Sequence, residues 1–373
     1  MFRSTQTAES ASCAPEPGAE SEFTSLASIF AAELERTPPD AVRGLVDDVR
    51  RRHGNSIAAI ILYGSCLRTN RYDDGVVDLY VLVDSYKAAY DSRLLAYANA
   101  VLPPNVFYIE VTDGDAQRRE DPSSKAPYRA VPDLAATDRT VRAELVRPGG
   151  RRTVRYKYAL ISLRDFERSC QLAAVQSIIW ARFCQPALLA YVRDPAARQV
   201  VIRSTVEAAI SIVLRAVALL PKACIRPEEL WQRGFKETYR AELRVESPEA
   251  IQQIYAHAPE RYDRLAFEAL RELERRRYLH VSVEPGLVRV SMHPRRRRLI
   301  RLGWAVRRFL GKPLAAARLL KSMATFGDWV PYALWKLERH TGVRIEPTQW
   351  QRRHVWLACW PIIFKLLVRR TVR

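Results

Sequence analysis

What the chain lacks narrows it first. Paired cysteines are missing: Cys13, Cys66, Cys170, Cys184, Cys224 and Cys359 are scattered with no CxxC or CxxxC spacing. That argues against a zinc knuckle or a disulfide framework and leads us to expect reduced thiols in a cytosolic chain. Long apolar runs are missing too, since none reaches the roughly 20 residues of a bilayer-spanning helix. Val206 to Leu220 holds Glu207 and Arg215 and reads as a buried helix. Val355 to Val368 includes Pro361 and Lys365; as a helix it would cover about 21 Å of a hydrocarbon core about 30 Å thick, so it reads as lying in an interface. Residues 1–22 have no apolar signal core and carry several Glu, unlike a secretory signal or an acid-poor transit peptide, and read as a disordered leader. The 22 Pro and 14 Gly follow no period, which excludes a collagen-like or linker array.

Acidic residues are scarce in one place. The 373 residues carry 60 Lys+Arg against 41 Asp+Glu, a formal net charge of +19. From Ser291 to Arg373 there are 19 basic and 3 acidic residues, so the tail alone holds +16. Six of the eight Trp (Trp304, Trp329, Trp335, Trp350, Trp356 and Trp360) lie in the same tail. Cations interleaved with indoles suit an anionic lipid headgroup interface. Arg295 to Arg298 followed by Leu299, Ile300, Leu302, Trp304, Val306, Phe309 and Leu310 reads as one amphipathic anchor, and Trp356 to Val368 as another. Ordinary helical core with a basic surface is the competing reading.

Along the chain, Phe23 to Arg52 has helical apolar spacing, and Ile57 to Tyr63 is a continuous apolar run read as a buried strand closed by Gly64-Ser65. Val76 to Asp84 reads as a second strand, Ser85 to Ala100 as helix and Asn105 to Val111 as a third strand. The segment from Thr112 to Arg152 reads as containing loops. Leu163 to Tyr278 reads as mostly helical, and Leu279 to Val290 as a strand pair about Pro285-Gly286. The expected class is α+β: a polymerase-β-like nucleotidyltransferase domain with a mixed sheet at residues 23–150, a helical domain at 151–290, and a basic, Trp-rich, amphipathic membrane-docking tail at 291–373.

The class rests on Leu62 to Asp84. A buried strand ending in Gly-Ser, with an Asp 13 residues after Ser65 inside a second apolar strand, is the arrangement of polymerase-β-like nucleotidyltransferases. Gly64 lets a phosphate approach the backbone. Ser65 and nearby N–H groups hold triphosphate oxygens, and Asp78 binds the divalent cation, expected to be Mg²⁺, that neutralises charge in phosphoryl transfer. A second carboxylate normally follows two residues later on the same strand face, but here that residue is Tyr80. Asp84 shares the face yet lies six residues on, roughly 20 Å away. Glu110, from the third strand, is the remaining candidate metal ligand.

The segment resembles the mitochondrial-type phosphatidate cytidylyltransferases, the CDP-diacylglycerol synthases of the translocator assembly and maintenance family. Their YGSG and IDFI patterns correspond to Tyr63-Gly64-Ser65-Cys66 and Val77-Asp78-Leu79-Tyr80, with Cys66 in place of a Gly. The likeness continues in order through Tyr156 to Ser162, Trp180 to Ala187, Ala216 to Lys222 and Thr238 to Arg244. It implies transfer of a cytidylyl group from CTP to phosphatidic acid, for phospholipid synthesis. Asp78 and Lys157 would be catalytic, Tyr63, Gly64, Ser65 and Arg182 would bind nucleotide, and Tyr239, Glu242 and Arg244 would face the substrate. Tyr239 and Glu242 could instead pack and pair.

The implied partners are CTP, phosphatidic acid and an anionic membrane surface reached through residues 291–373, with peripheral attachment to the inner face of a membrane. Two other readings stay open: nucleotide transfer to RNA or a small molecule, against which the apolar and Trp content of the tail argues, and a catalytically inactive membrane-binding homologue, which Tyr80 favours.

Overall fold

The structure, a computed structural model, describes residues 25–72, 76–112, 153–221, 224–242, 248–284 and 287–325. It is a mixed α+β protein built on a five-stranded mixed sheet. The sheet strands are β1 (Ile57–Tyr63), β2 (Val76–Val83), β3 (Asn105–Thr112), β4 (Thr153–Ser162) and β5 (Ala187–Val192), in the order β3-β4-β2-β1-β5. β2 and β4 run parallel, and the other neighbours are antiparallel. All seven residues of β1 are buried, as expected of a strand covered on both faces, and this explains its unbroken apolar run.

The strands alternate between two cores. Ile60, Leu62, Leu79, Val81, Tyr156, Tyr158 and Leu160 face one side. It is covered by α2 (Asp40–His53), α4 (Tyr86–Ala89) and α5 (Arg93–Val101). Ala59, Ile61, Tyr63, Tyr80, Leu82, Ala159 and Ile161 face the other. There they meet α1 (Ser25–Leu34), α6 (Leu163–Cys170), α7 (Ile178–Phe183) and α8 (Pro195–Val217). α3 (Ser65–Thr69) is one short turn after β1. Behind α8 stand α9 (Pro227–Ala241), α10 (Pro248–Ala256) and α11 (Pro259–Arg275). A small sheet of β6 (Cys224–Ile225), β8 (Leu287–Ser291) and β7 (His280–Glu284) follows.

Several expectations need correction. The helix expected over Phe23 to Arg52 is two helices, because Pro38 and Pro39 interrupt it. β4 was not recognised as a strand, and β5 was read as helix. Both lie beyond residue 150, so the sheet is assembled from both sides of the expected domain boundary. The leader at residues 1–22, the loops at 113–152 and the second anchor from Trp356 to Val368 fall outside the described residues.

The tail begins with α12 (Pro294–Thr325), 32 residues long, about 48 Å at 1.5 Å per residue. It packs along the protein. Trp304, read as part of a membrane anchor, is fully buried, edge-on to Trp180 at 6.0 Å, with its Nε1–H donating to the Arg215 carbonyl at 3.3 Å. Arg301 and Arg297 donate to the carbonyls of Ala218 and Leu220. Three carbonyls left open where α8 ends are thus satisfied from α12. Farther along, Lys321 Nζ donates to Asn99 Oδ1, Leu102 O and Pro104 O at 2.6–3.0 Å, tying α12 to the approach to β3. Among the described residues no helix is long and apolar enough to cross a membrane.

Candidate active site

The sheet places the sequence-predicted residues by register. Tyr63 pairs with Asp78 across the antiparallel β1–β2 ladder, and Asp78 pairs with Lys157 across the parallel β2–β4 ladder. Gly64 follows Tyr63 with φ +95°, a backbone that side chains rarely adopt, and a Cβ built there would lie 2.5 Å from Asp78 Oδ2. Glycine is therefore required twice, for its dihedral and for the carboxylate pressed against it. Ser65 comes next, exposed, as the first residue of α3. Cys66 is buried beneath this turn with its Sγ 3.4 Å from the Val76 carbonyl.

Asp78 is mostly enclosed, its side chain 14% exposed, and Lys157 Nζ stands 2.9 Å from Oδ1. The pair meets by distance but not by direction, because Oδ1 accepts no hydrogen bond of good geometry. We read it as an ion pair that leaves a lone pair of a buried carboxylate unused, which is costly unless another cation takes it.

Arg182, on α7, completes the cluster. Its guanidinium lies over the ring of Tyr63 at 5.1 Å and near that of Tyr80 at 5.9 Å. Burial opposes its charge, but Tyr63, Tyr80, Asp78 and Glu242 together outweigh that and hold its pKa above the ordinary value. Glu242, immediately after α9, accepts a hydrogen bond from Ser177 Oγ at 3.2 Å just before α7. The ends of the central strands and two helix ends thus converge on one charged cluster.

Tyr80, at the position where a second metal carboxylate would be expected, is fully buried. It sits edge-on to Phe183 at 4.9 Å and beside Tyr63 and Phe166. Burial raises the pKa of its phenol, an effect that the Arg182 charge only partly offsets, and the hydroxyl makes no hydrogen bond of ordinary geometry. It packs the floor of the cleft and offers no anionic ligand.

No protein-family model and no curated protein sequence matches this chain. The site must therefore be judged on its own chemistry.

Among the described residues no three His, Cys, Asp or Glu side chains converge as a metal cage. Magnesium does not demand one, because it commonly uses one or two carboxylates, several waters and the phosphates of the substrate. Asp78, a mostly enclosed carboxylate pressed against Gly64, is compatible with that role. Glu110 pairs with Arg155 on β4, two strands from β2 and two positions from the level of Asp78; its side chain lies outside the described residues, as does Arg244. Tyr239 stands one turn before Glu242, half-buried against the helical core.

Sequence reasoning missed Arg318 and Arg307, which α12 carries toward this cleft. Arg318 is within electrostatic reach of both Tyr80 and Glu242. A small cavity of about 20 Å³ is lined by Ser177, Glu242, Arg307, Leu310, Leu314 and Arg318, among others. Nothing local distinguishes these two arginines from the rest of a basic tail.

Proposed function

We propose that the chain is a nucleotidyltransferase with a polymerase-β-like core, of the phosphatidate cytidylyltransferase kind. It moves a cytidylyl group from CTP onto the phosphate of phosphatidic acid and releases pyrophosphate. The observation that carries this reading is the approach of Gly64 to Asp78. A turn that tolerates no side chain lies directly against a mostly enclosed carboxylate that is ion-paired with Lys157. The cations that a phosphate-transfer site needs, Lys157 and Arg182, are gathered at the same place.

In the proposed reaction an oxygen of the phosphatidic acid phosphate forms a bond to the α-phosphorus of CTP. The bond from that phosphorus to the bridging oxygen breaks, and its electron pair leaves with pyrophosphate. A phosphomonoester whose second pKa lies near 6 is already ionised at neutral pH, so the acceptor needs no general base. Electrostatic neutralisation and alignment are what remain to be supplied. Asp78 would hold Mg²⁺, while Glu110, two strands away and two positions off its level, is too far to share that ion; the ion would lower the charge on the triphosphate. Ser65, exposed at the start of α3, would offer a donor for phosphate oxygens, and Lys157 and Arg182 place positive charge beside Asp78. Glu242 lies within electrostatic reach of Arg182, while the rings of Tyr63 and Tyr80 pack beneath its guanidinium.

The acceptor sits in a membrane, and α12 carries an exposed apolar stripe: Leu299, Leu302, Val306, Phe309 and Leu310. Arg295, Arg298 and Lys312 are exposed on the same helix. This supports docking on an anionic lipid surface as a peripheral protein. Tyr80 supports the alternative of an inactive lipid-binding homologue. Purified protein incubated with phosphatidic acid vesicles, Mg²⁺ and each of the four NTPs separates the two. Lipid-linked CMP and stoichiometric pyrophosphate are expected with CTP; vesicle binding with no transfer from any nucleotide overturns the catalytic reading.

A further inference from the structure

Buried cations that lack anions are the least expected feature of this protein. Arg215, inside α8, is 3% exposed and bonded only to the carbonyls of Ser211, Leu172 and Ala174. Arg307, from α12, donates to the same Ala174 carbonyl at 2.6 Å, while its Nε–H is buried and bonds nothing. Arg318, three turns on, donates from Nε to the Pro103 carbonyl at 2.8 Å, and its Nη2 is likewise buried without a partner. Among the described residues none of the three forms an ion pair with a carboxylate, and Glu242 is the carboxylate within electrostatic reach of Arg318. Burial accordingly lowers the pKa of all three, that of Arg215 to about 9.

Three partly desolvated guanidiniums are costly on their own and become favourable when an anion joins them. Of the three, Arg307 and Arg318 line a cavity. With Ser177 and Glu242 they line the 20 Å³ cavity between α12 and the start of α7, and its remaining walls include Leu310, Gly311 and Leu314. That volume admits one water-sized group, so it suits a single phosphate oxygen. The position also separates two anions. Gly64, Ser65, Asp78 and Lys157 lie on the central strands and the turn after β1; Arg307 and Arg318 are carried by α12, with Glu242 in reach of both Arg182 and Arg318. Leu310 belongs both to the cavity wall and to the exposed apolar stripe with Val306 and Phe309, so a bound phosphate there would have an apolar surface beside it for acyl chains.

We propose that Arg307 and Arg318 form the acceptor subsite, binding the phosphate of an acylated phosphomonoester while the turn after β1 and the facing end of β2 hold the nucleotide. This rests on the reading of the protein as a lipid-directed nucleotidyltransferase, and it assigns the second substrate to residues of the tail.

The test uses the full-length protein and short-chain dihexanoyl phosphatidic acid below its micelle concentration, with titration calorimetry for the lipid and, separately, for CTP with Mg²⁺. Arg318→Gln and Arg307→Gln should each weaken phosphatidate binding roughly tenfold, as expected for loss of a charged hydrogen bond, and leave CTP affinity within about twofold. Arg318→Lys, which keeps the charge on a compact stem, should retain part of the affinity and guards against misfolding as the cause. Unchanged phosphatidate affinity in both Gln variants overturns the proposal, and so does equal loss of lipid and CTP binding. Inorganic phosphate binding as tightly as phosphatidate overturns the acyl part. Arginine-dependent phosphatidate binding without any nucleotide transfer would uphold the subsite and refute the reaction instead, so the two failures are distinguishable.

Discussion

Gly64 has no room for a side chain because the carboxylate of Asp78 stands where its Cβ would point, 2.5 Å from Oδ2. Gly64 follows the last residue of β1 and Asp78 lies on the adjacent antiparallel β2, 14 positions on in sequence, and the ladder that pairs Tyr63 with Asp78 brings them together. Gly64→Ala should therefore both strain a backbone at φ +95° and displace the carboxylate, at a cost on the order of 1–3 kcal/mol. Pyrophosphate release should fall to background while the melting temperature drops by several degrees. A variant that melts and turns over like wild type would remove the geometric basis of the site.

Asp78→Asn keeps the shape and deletes the charge. Because Asp78 is half of an ion pair with Lys157 that is only partly buried, stability should change little. Mg²⁺-dependent nucleotide transfer should fall roughly a hundredfold or more, as is usual when a metal's main anchor is lost. The check is initial-rate pyrophosphate release across a Mg²⁺ titration; wild-type turnover in this variant would refute the proposed mechanism.

Two aromatic residues of α12 separate core from docking. Trp304, fully buried against Trp180, should cost about 3–5 kcal/mol as Trp304→Ala, a melting temperature drop on the order of 10 °C. Phe309 is 79% exposed, so Phe309→Ser should leave the melting temperature within a degree or two and reduce sedimentation with anionic vesicles. If Phe309→Ser sediments as wild type does, the apolar stripe does not dock on lipid.

Gly311 lies where α12 crosses the end of α9, and a Cβ there would fall on the Ala241 carbonyl oxygen. Gly311→Ala should lift α12 locally, and with it Arg307 and Arg318. Limited proteolysis should then cut within α12 faster than in wild type, and phosphatidate affinity should fall. Unaltered cleavage would show that the crossing relaxes without cost.

His53 closes the opposite face of the sheet, with Nε2 3.0 Å from Tyr158 Oη and Nδ1 3.2 Å from the Ala89 carbonyl. Burial lowers its pKa below 6.5, so the unfolded chain takes up the proton more readily. The stability that the neutral ring confers is complete above pH 6.5 and is lost as pH falls below it. The melting temperature of wild type should decline from about pH 6.5 toward pH 5, more steeply than that of His53→Gln. Equal slopes would mean that the ring does not titrate on unfolding.

β1 and β2 could be read from sequence because each is buried on both faces, so composition alone marks them. Gly64-Ser65 and Asp78 were legible for the same reason, since punctuation and charge stand out inside apolar runs. β4 and β5 were not: Thr153 to Ser162 mixes Arg, Lys and Tyr with aliphatics, and the partly exposed Leu189 to Val192 follows a short helix, so neither shows a clean two-residue period. Lys157 gains its meaning only from the parallel register that sets it beside Asp78.

The sequence by itself determined the apolar strands, the glycine turn, the acidic residue within the second strand and the concentration of positive charge after residue 290. Those are local properties, fixed by which side chains sit next to one another along the chain. Only the tertiary structure decided what the charge is for. α12 spends Arg297 and Arg301 on the open carbonyls at the end of α8, commits Trp304 to the core and brings Arg307 and Arg318 toward a cleft some 230 to 240 residues away in sequence from Asp78. No local pattern encodes such a meeting, because it follows from the burial and hydrogen bonding satisfied when a long helix lies back across the fold.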